Sequence, residues 1–354
     1  MTRDRRVGAP YLAMLEGFRS LSPESVMSQS LPTVFDQALA SAVRAPSPHN
    51  TQPWRFVVDG ERVEVWLDRD RVLGVADPTA REARLSCGAA AFNLMICLRS
   101  NGLATVVRMI PDPAEPDLLA VIKLDGNQVA QPAERRLAEA VFRRHTNRRP
   151  FLEAQVPPVV RAALKSAALQ EGGQVEYLDA SGRYTAVTSL VRRAESLQEN
   201  DPAFQLETAH WTGRNAESPD GVPMIATGPP PYSTRVVAMR ASHENQALPP
   251  REFEQEPLLA ALLTRDHGPH AEVRAGMALQ RVLLTATAEG LATSFLSQPF
   301  ETSQTRDSLD RIFDSLGQPH TLLRIGYGYP TRMTSRRPVE DVLSHRAVPG
   351  VPAK

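Results

Sequence analysis

Residues 86–107 read SCGAAAFNLMICLRSNGLATVV and residues 274–295 read RAGMALQRVLLTATAEGLATSF, and the two stretches align without a gap. Gly88 falls on Gly276, Ala90 on Ala278, and Gly102-Leu103-Ala104-Thr105 on Gly290-Leu291-Ala292-Thr293. Each reads as a long buried helix that ends near a glycine. Each then leads to a strand-like run, LLAVIKLDG at 118–126 and TLLRIGYG at 321–328. Two long copies suggest a duplicated unit in which one chain imitates a homodimer. The plainer reading is a coincidence between two alanine-rich helices, which shared composition favours.

The 354 residues are 42% hydrophobic, enough for a large core and roughly two domain-sized units. Forty basic residues balance forty acidic ones, which removes the overall positive field of a nucleic-acid binder and leaves small-molecule chemistry as the default. Only Lys123, Lys165 and Lys354 are lysine, so any arginine cluster is discounted against an arginine-rich background. Cys87 and Cys97 share one apolar segment at a spacing that puts them on different helix faces, which offers neither a disulfide framework nor a CxxC site. A reducing, cytoplasmic setting fits. No run approaches the roughly 18 apolar residues of a membrane span, and the first 20 residues lack the apolar core of a signal peptide.

Working outward, PTVFDQALASAVR at 32–44 has near-helical apolar spacing and stops at APSPHNTQPW, 45–54, a polar loop with three prolines. WRFVVDGERVEVWLD then shows two β-rich runs around Asp59-Gly60, a hairpin signal because both positions tolerate positive φ. Residues 200–270 are rich in Pro and Gly with little periodicity, and Trp211, Met224 and Tyr232 argue that they pack as a lid. The chain thus divides into a weakly ordered extension at 1–30, a first copy at 31–130, a second copy at 131–345 carrying the lid at about 200–270, and a tail at 346–354.

Two basic clusters stand out. RRHTNRRPF, 143–151, follows a helix-like ERRLAEAVF, and its closely spaced guanidiniums with a Thr hydroxyl between them suit a phosphate as well as they suit a solvated surface. RMTSRR, 332–337, follows the strand ending GYGYP, and for either Arg336 or Arg337 alone a solvated tail is the stronger reading. His267 and His270 form HxxH without the Glu of HExxH or further ligands, so no metal site is expected. Neither a GxSxG elbow nor a Walker-type loop is present, and His49 and His145 read as loop histidines with ordinary hydrogen bonds or as donors to a ligand.

APSPHNTQPW, RRHTNRRPF, the paired NGLAT and EGLAT helices and LLRIGYGYP…RRPVEDVL, in that order over residues 33–345, together resemble the nitroreductase family, specifically its actinobacterial Acg-type single-chain double members. The resemblance implies an α+β, three-layer sandwich, internally duplicated so that one chain mimics the family homodimer, with FMN at the interface. Carried over, it assigns Ser47, Asn50 and Gln52 of the first copy, and Arg144, Thr146, Arg148 and Arg336 or Arg337 of the second, to the cofactor. Pro48 stands where many members have a second Ser, and RRHTNRRPF has one residue more before Phe151 than the shorter family form, so the register can shift by one. The prolines answer for the loop: Pro48 and Pro53 fix their own φ and bias their predecessors to extended conformations, holding an Asn amide still against a flavin edge.

The first copy has no RRHTNRR before its first helix, and the second has no PSPHNTQPW after its own, so one complete FMN site per chain is expected. The implied activity is ping-pong hydride transfer from NAD(P)H through FMN N5 to a nitro, quinone-like or other conjugated small-molecule acceptor, with no side chain required as a dedicated acid. The expected partners are that acceptor alone, with neither nucleic acid nor membrane, in a monomeric internal pseudodimer. The alternative is an FMN-sequestering protein that turns over little because the lid closes the flavin face.

Overall fold

The computed structural model of the chain describes residues 31–178, 182–229, 253–254, 257–329 and 331–345. The extension at 1–30, the tail at 346–354 and Tyr232 lie outside them.

The first half opens with α1 (Leu31–Ala42), followed by the hairpin β1 (Trp54–Asp59) and β2 (Arg62–Leu67). Asp59 pairs with Arg62 across a turn in which Gly60 takes φ 58°, the positive value that the Asp-Gly pair led us to expect. Helix α2 (Arg81–Ser100) and strands β3 (Leu103–Met109) and β4 (Leu118–Asn127) complete this half, and α3 (Pro132–Val141) links it to the next. The second half runs α4 (Pro158–Gln170), β5 (Gln174–Leu178), α5 (Gly182–Glu199), α6 (Pro202–Trp211), β6 (Thr212–Arg214), β7 (Val222–Pro223) and β8 (Leu258–Thr264). It continues with α7 (Pro269–Ala288), β9 (Ala292–Phe295), α8 (Gln298–Glu301), α9 (Ser303–Phe313), β10 (Gln318–Gly326) and β11 (Leu343–His345).

The strands form a sheet of order β11-β1-β2-β4-β3, a second of order β5-β8-β10-β9, and a small β6-β7 ladder. The antiparallel order first-second-fourth-third, with a long helix between the second and third strands, occurs in both large sheets. β11 pairs in parallel with β1, Phe56 opposite Leu343, so the end of the chain completes the sheet of the first half.

Helices α2 and α7 pack against each other, and their closest approach is at the two glycines that the alignment superposed. A Cβ on Gly88 would lie 3.1 Å from Gly276 Cα and overlap the Val273 carbonyl oxygen; one on Gly276 would lie 2.9 Å from Gly88 Cα and overlap the Leu85 carbonyl oxygen. Only glycine allows backbones this close. The pairing is reciprocal, because Arg84 and Glu272, which also occupy matching places in the alignment, form an ion pair at 2.5 Å. In the same buried seam the Gln280 amide donates to Asn93 Oδ1 at 2.7 Å.

The expected lid boundaries shift. Residues 258–264, LLAALLT, lack periodicity because β8 is buried on both faces as the strand between β5 and β10. Ala260 and Leu262 face the core with α4 and α7, while Leu259, Ala261 and Leu263 face α5 and α9. The insertion therefore lies between β5 and β8, and its described part holds two regular helices, α5 and α6. Trp211, at the end of α6, is flanked by the guanidiniums of Arg71 at 5.4 Å and Arg214 at 5.5 Å, whereas Met224 is exposed.

Candidate functional site

The polar loop after α1 holds a demanding backbone. Ser47 is extended, as expected before Pro48, but His49 (φ 46°), Asn50 (φ 58°) and Gln52 (φ 55°) all adopt positive φ without being glycine. Pro53 does keep Gln52 out of the right-handed helical region, but into left-handed rather than extended backbone. Such strain persists only where the surroundings hold it. Ser47 Oγ accepts from the Gln52 amide at 2.9 Å, and the buried Asn50 Nδ2 donates at 3.1 Å to the carbonyls of both Gly221 and Ser335. Both amide hydrogens of Asn50 are thereby used, and its buried Oδ1 has no partner.

Gln52 is fully buried and acts as a tie. Its Nε2 donates to the Pro219 carbonyl at 2.8 Å, and its Oε1 accepts from the Arg337 amide at 2.9 Å. The insertion, the first-half loop and the C-terminal segment thus meet around one side chain. Arg71 strengthens this joint by donating to the Thr51 carbonyl at 2.5 Å and pairing with Asp220 at 2.6 Å.

The two basic clusters meet at the same cleft. Ser47, Asn50, Arg144, Thr146, Arg148 and Arg336 all line it, so residues far apart in sequence come together. Gln52 and Arg337 do not line it: Gln52 lies behind the loop, and the half-exposed Arg337 turns to the Asp341 carbonyl at 2.7 Å. Thr146 is fixed by a bridge to Thr293, next to β9, and Asn147, buried beside it, donates to the Tyr329 carbonyl at 2.9 Å. Arg148 donates to the Ala226 carbonyl at 3.2 Å, and its own carbonyl sits so tightly against Gly228 that a Cβ there would overlap it.

The electrostatics of this side are one-signed. Arg144 is buried, its Nε and Nη1 have no partner, and its Nη2 reaches the Arg44 carbonyl at a long 3.4 Å. Burial, and then the charges of Arg44 and Arg148, push its pKa down to about 9. Arg336 donates to the Ala45 carbonyl at 3.1 Å, has a buried unpartnered Nε, and is held well below the usual arginine range by burial and by Arg44, Arg144 and Arg148. Among the described residues neither Arg144 nor Arg336 has a carboxylate partner. Contrast Arg324, as deeply buried but paired with Glu254 at 3.3 Å and stacked on Phe151 at 3.8 Å. Converging guanidiniums with unused donors form a receptor for an oxyanion.

The sequence did not point to the cleft's other end. Glu82, Leu85, Ser86 and Ala89 of α2 line it together with Gln298 and Glu301 of α8. The positions 82, 85, 86 and 89 form one helical stripe, a pattern the sequence carried but which reads as core. His145 also lines the cleft; its Nδ1 is 2.9 Å from the Arg143 carbonyl, and burial lowers its pKa. His49 lies in the wall as well. No cluster of metal-ligating side chains occurs among the described residues, and no described helix is long and apolar enough to cross a membrane.

This fold and cleft place the chain in a defined class: it belongs to the nitroreductase family, among the Acg-type members. It is 30% identical over 320 residues to the Mycobacterium tuberculosis protein named "Putative NAD(P)H nitroreductase acg", covering 89% of this chain and 96% of that one. It is 34% identical over 315 residues to the M. tuberculosis protein named "Putative NAD(P)H nitroreductase Rv3131", covering 86% and 89%. No protein-family model matches. Among solved structures, the Anabaena variabilis protein described as "a putative nitroreductase" matches 89% of this chain and 91% of its own at TM-score 0.44 and 11% identity. An FMN-bound nitroreductase from Bacteroides fragilis covers 62% and 97% at TM-score 0.34 and 14% identity.

Proposed function

We propose that the chain is an FMN-dependent oxidoreductase of the nitroreductase type, using NAD(P)H to reduce a nitro, quinone-like or other conjugated small molecule. The observation that carries this reading is the convergence of buried, unpartnered polar atoms on one cleft: Arg144 Nε and Nη1, Arg336 Nε and Asn50 Oδ1. Three cationic donor atoms suit a phosphate, and a lone amide oxygen suits a ring N–H, so the donor set fits FMN. The names of the mycobacterial relatives support NAD(P)H as reductant.

Bound FMN would supply two-electron hydride chemistry at N5. The chain's own task is binding and orientation. Arg144 and Arg336, with the Thr146 hydroxyl, hold the phosphate. Asn50 fixes one edge of the ring, because its amide hydrogens are already committed and only its oxygen can answer. Arg148, which lines the same cleft, would stabilise the negative charge that reduction of bound FMN develops. Gln52 and Arg337 support this wall from behind.

The same reading makes the chain an internally duplicated, three-layer pseudodimer with one FMN. Its support is the repeated strand order and the reciprocal Gly88–Gly276 contact. At the place corresponding to Ser86, Arg274 lies 3.0 Å from where a Gly172 Cβ would be and pairs with Asp266 at 2.7 Å, so a side chain fills the matching position.

One observation favours FMN sequestration as a second reading: Thr212, Val222, Ala226, Thr227 and Gly228 of the insertion line the cleft. The purified chain should be yellow, with one FMN per chain, and anaerobic NADPH should bleach it. A yellow protein that does not bleach supports sequestration, and a colourless chain that takes up no FMN overturns both readings.

A further inference from the structure

His145 lines the cleft between Arg144 and Thr146, two residues of the proposed phosphate cup. Its Nδ1 lies 2.9 Å from the Arg143 carbonyl, which can only accept, so Nδ1 carries the proton of the neutral ring. Nε2 is left with a lone pair. It has no hydrogen-bond partner among the described residues and keeps contact with solvent. The backbone on either side is pinned: the Arg144 amide donates to the Ala140 carbonyl at 2.9 Å, and the Asn147 amide to the Thr293 carbonyl at 2.9 Å. The ring thus stays beside Arg144.

Burial holds His145 below the usual histidine value; the Arg143 carbonyl opposes this, and the Arg144 charge adds to it. The ligand-free ring is therefore neutral at pH 7. The cleft's other charged or titratable groups are Arg148 on the same loop, Arg332 and Arg336 on the C-terminal segment, His49 after α1, Glu82 of α2 and Glu301 of α8. Arginines outnumber carboxylates, so nothing in the cleft itself induces the ring to charge. An arriving oxyanion reverses this. The unpartnered Nε and Nη1 of Arg144 draw it beside the ring, where a lone pair repels phosphate oxygens and a protonated Nε2 donates to them. Oxyanion binding and protonation of the ring then favour each other.

We infer that His145 is a further oxyanion ligand of the cleft, and that it takes up a proton from solvent at Nε2 when the phosphate of FMN arrives. The inference rests on the proposed flavin reading for the identity of the oxyanion, and it makes capture of the cofactor proton-coupled. An opposite charge in contact raises a pKa by about 1 to 3. The FMN-bound value thus lies above the ligand-free one, so affinity is greatest below the bound value and falls as pH rises through it. Arg144 gives up its own proton only around its pKa of about 9, which leaves the neutral range to the histidine.

The test is calorimetry of the full chain with FMN and with riboflavin, at pH 7 in two buffers of different ionisation enthalpy, which counts the protons exchanged. The wild type should take up about 0.4 to 0.8 proton per FMN and about none per riboflavin. Its FMN affinity should weaken about 3- to 12-fold between pH 6.5 and 8. His145→Gln offers a neutral donor in place of the ring, and should bind FMN with little proton uptake and a nearly flat pH profile. That variant separates the ring from Arg336, whose pKa is also lowered. An NMR titration of His145 should show its pKa rising when FMN is added. Equal uptake by wild type and variant, or equal uptake with FMN and riboflavin, overturns the inference. A chain that takes up no FMN overturns the cofactor reading instead, and the same NMR titration with inorganic phosphate then decides whether His145 charges beside an oxyanion.

Discussion

Replacing Arg144 by Met should move two quantities in opposite directions. The long apolar side chain keeps most of the packing volume but removes a buried guanidinium that faces Arg44 and Arg148 and no carboxylate. Lowering its pKa from the ordinary arginine value to about 9 corresponds to a cost of roughly 5 kcal/mol for keeping the charged form in the folded chain. Relaxation and water entry make that figure a ceiling. At neutral pH the group is charged whether the chain is folded or unfolded, so the cost appears as instability of the FMN-free chain. It fades only as pH rises past about 9, where the folded form can shed the proton that the unfolded form keeps. FMN-free Arg144→Met should therefore melt at the wild-type temperature or a few degrees higher. Its FMN affinity should fall about 10- to 150-fold, the range for one hydrogen bond to a charged group. Scanning calorimetry with and without FMN, together with a flavin titration, reads both. If the FMN-free variant melts well below wild type and still holds FMN at wild-type affinity, Arg144 is a structural residue and the phosphate assignment fails.

Three further outcomes follow from the geometry. Gly88→Ala forces a Cβ into the Val273 carbonyl and to 3.1 Å from Gly276 Cα, and should cost at least about 3 kcal/mol in chemical denaturation; a loss under about 1 kcal/mol would show that the helix crossing yields easily. Asp220→Asn breaks an ion pair whose side chains are both less than a fifth exposed, and should speed FMN release several-fold in stopped-flow displacement by loosening the joint around Thr51 and Pro219; an unchanged rate would show that the insertion does not gate the cofactor. His320 is buried, lies 2.6 Å from Thr264 Oγ1, and is held well below the usual histidine pKa, chiefly by burial. The unfolded chain takes up its proton below about 6.5 while the folded chain resists it, so stability should fall as pH drops below 6.5, and His320→Gln should flatten that limb.

The sequence was legible where local chemistry decides the structure. Asp59-Gly60 specifies its turn, the glycines of the two long helices sit where backbones must touch, and Ser47 and Asn50 belong to a loop whose prolines and amides have no solvent role. It was less legible where tertiary context decides. β8 carries no alternation because both of its faces are covered, so LLAALLT merged into the irregular stretch around it. The pairing of β11 with β1 depends on a partner nearly the whole chain away. Adjacent arginines cannot be told apart by composition: Arg336 turns into the cleft, while Arg337 turns to Asp341. The 82/85/86/89 stripe gave no signal because its apolar members read as core and its one carboxylate as a helix-start residue.

The pairing of β11 with β1 has a consequence for how the molecule is made. Arg336 and the strand beyond it are synthesised long after β1, yet they close the sheet to which β1 belongs. Until β11 is made, the first half waits with an open edge, and on the proposed reading the phosphate cup lacks one of its fingers. A polypeptide cut before Arg336 should therefore fail to capture FMN, and coloration would report that the segment beyond β10 is in place.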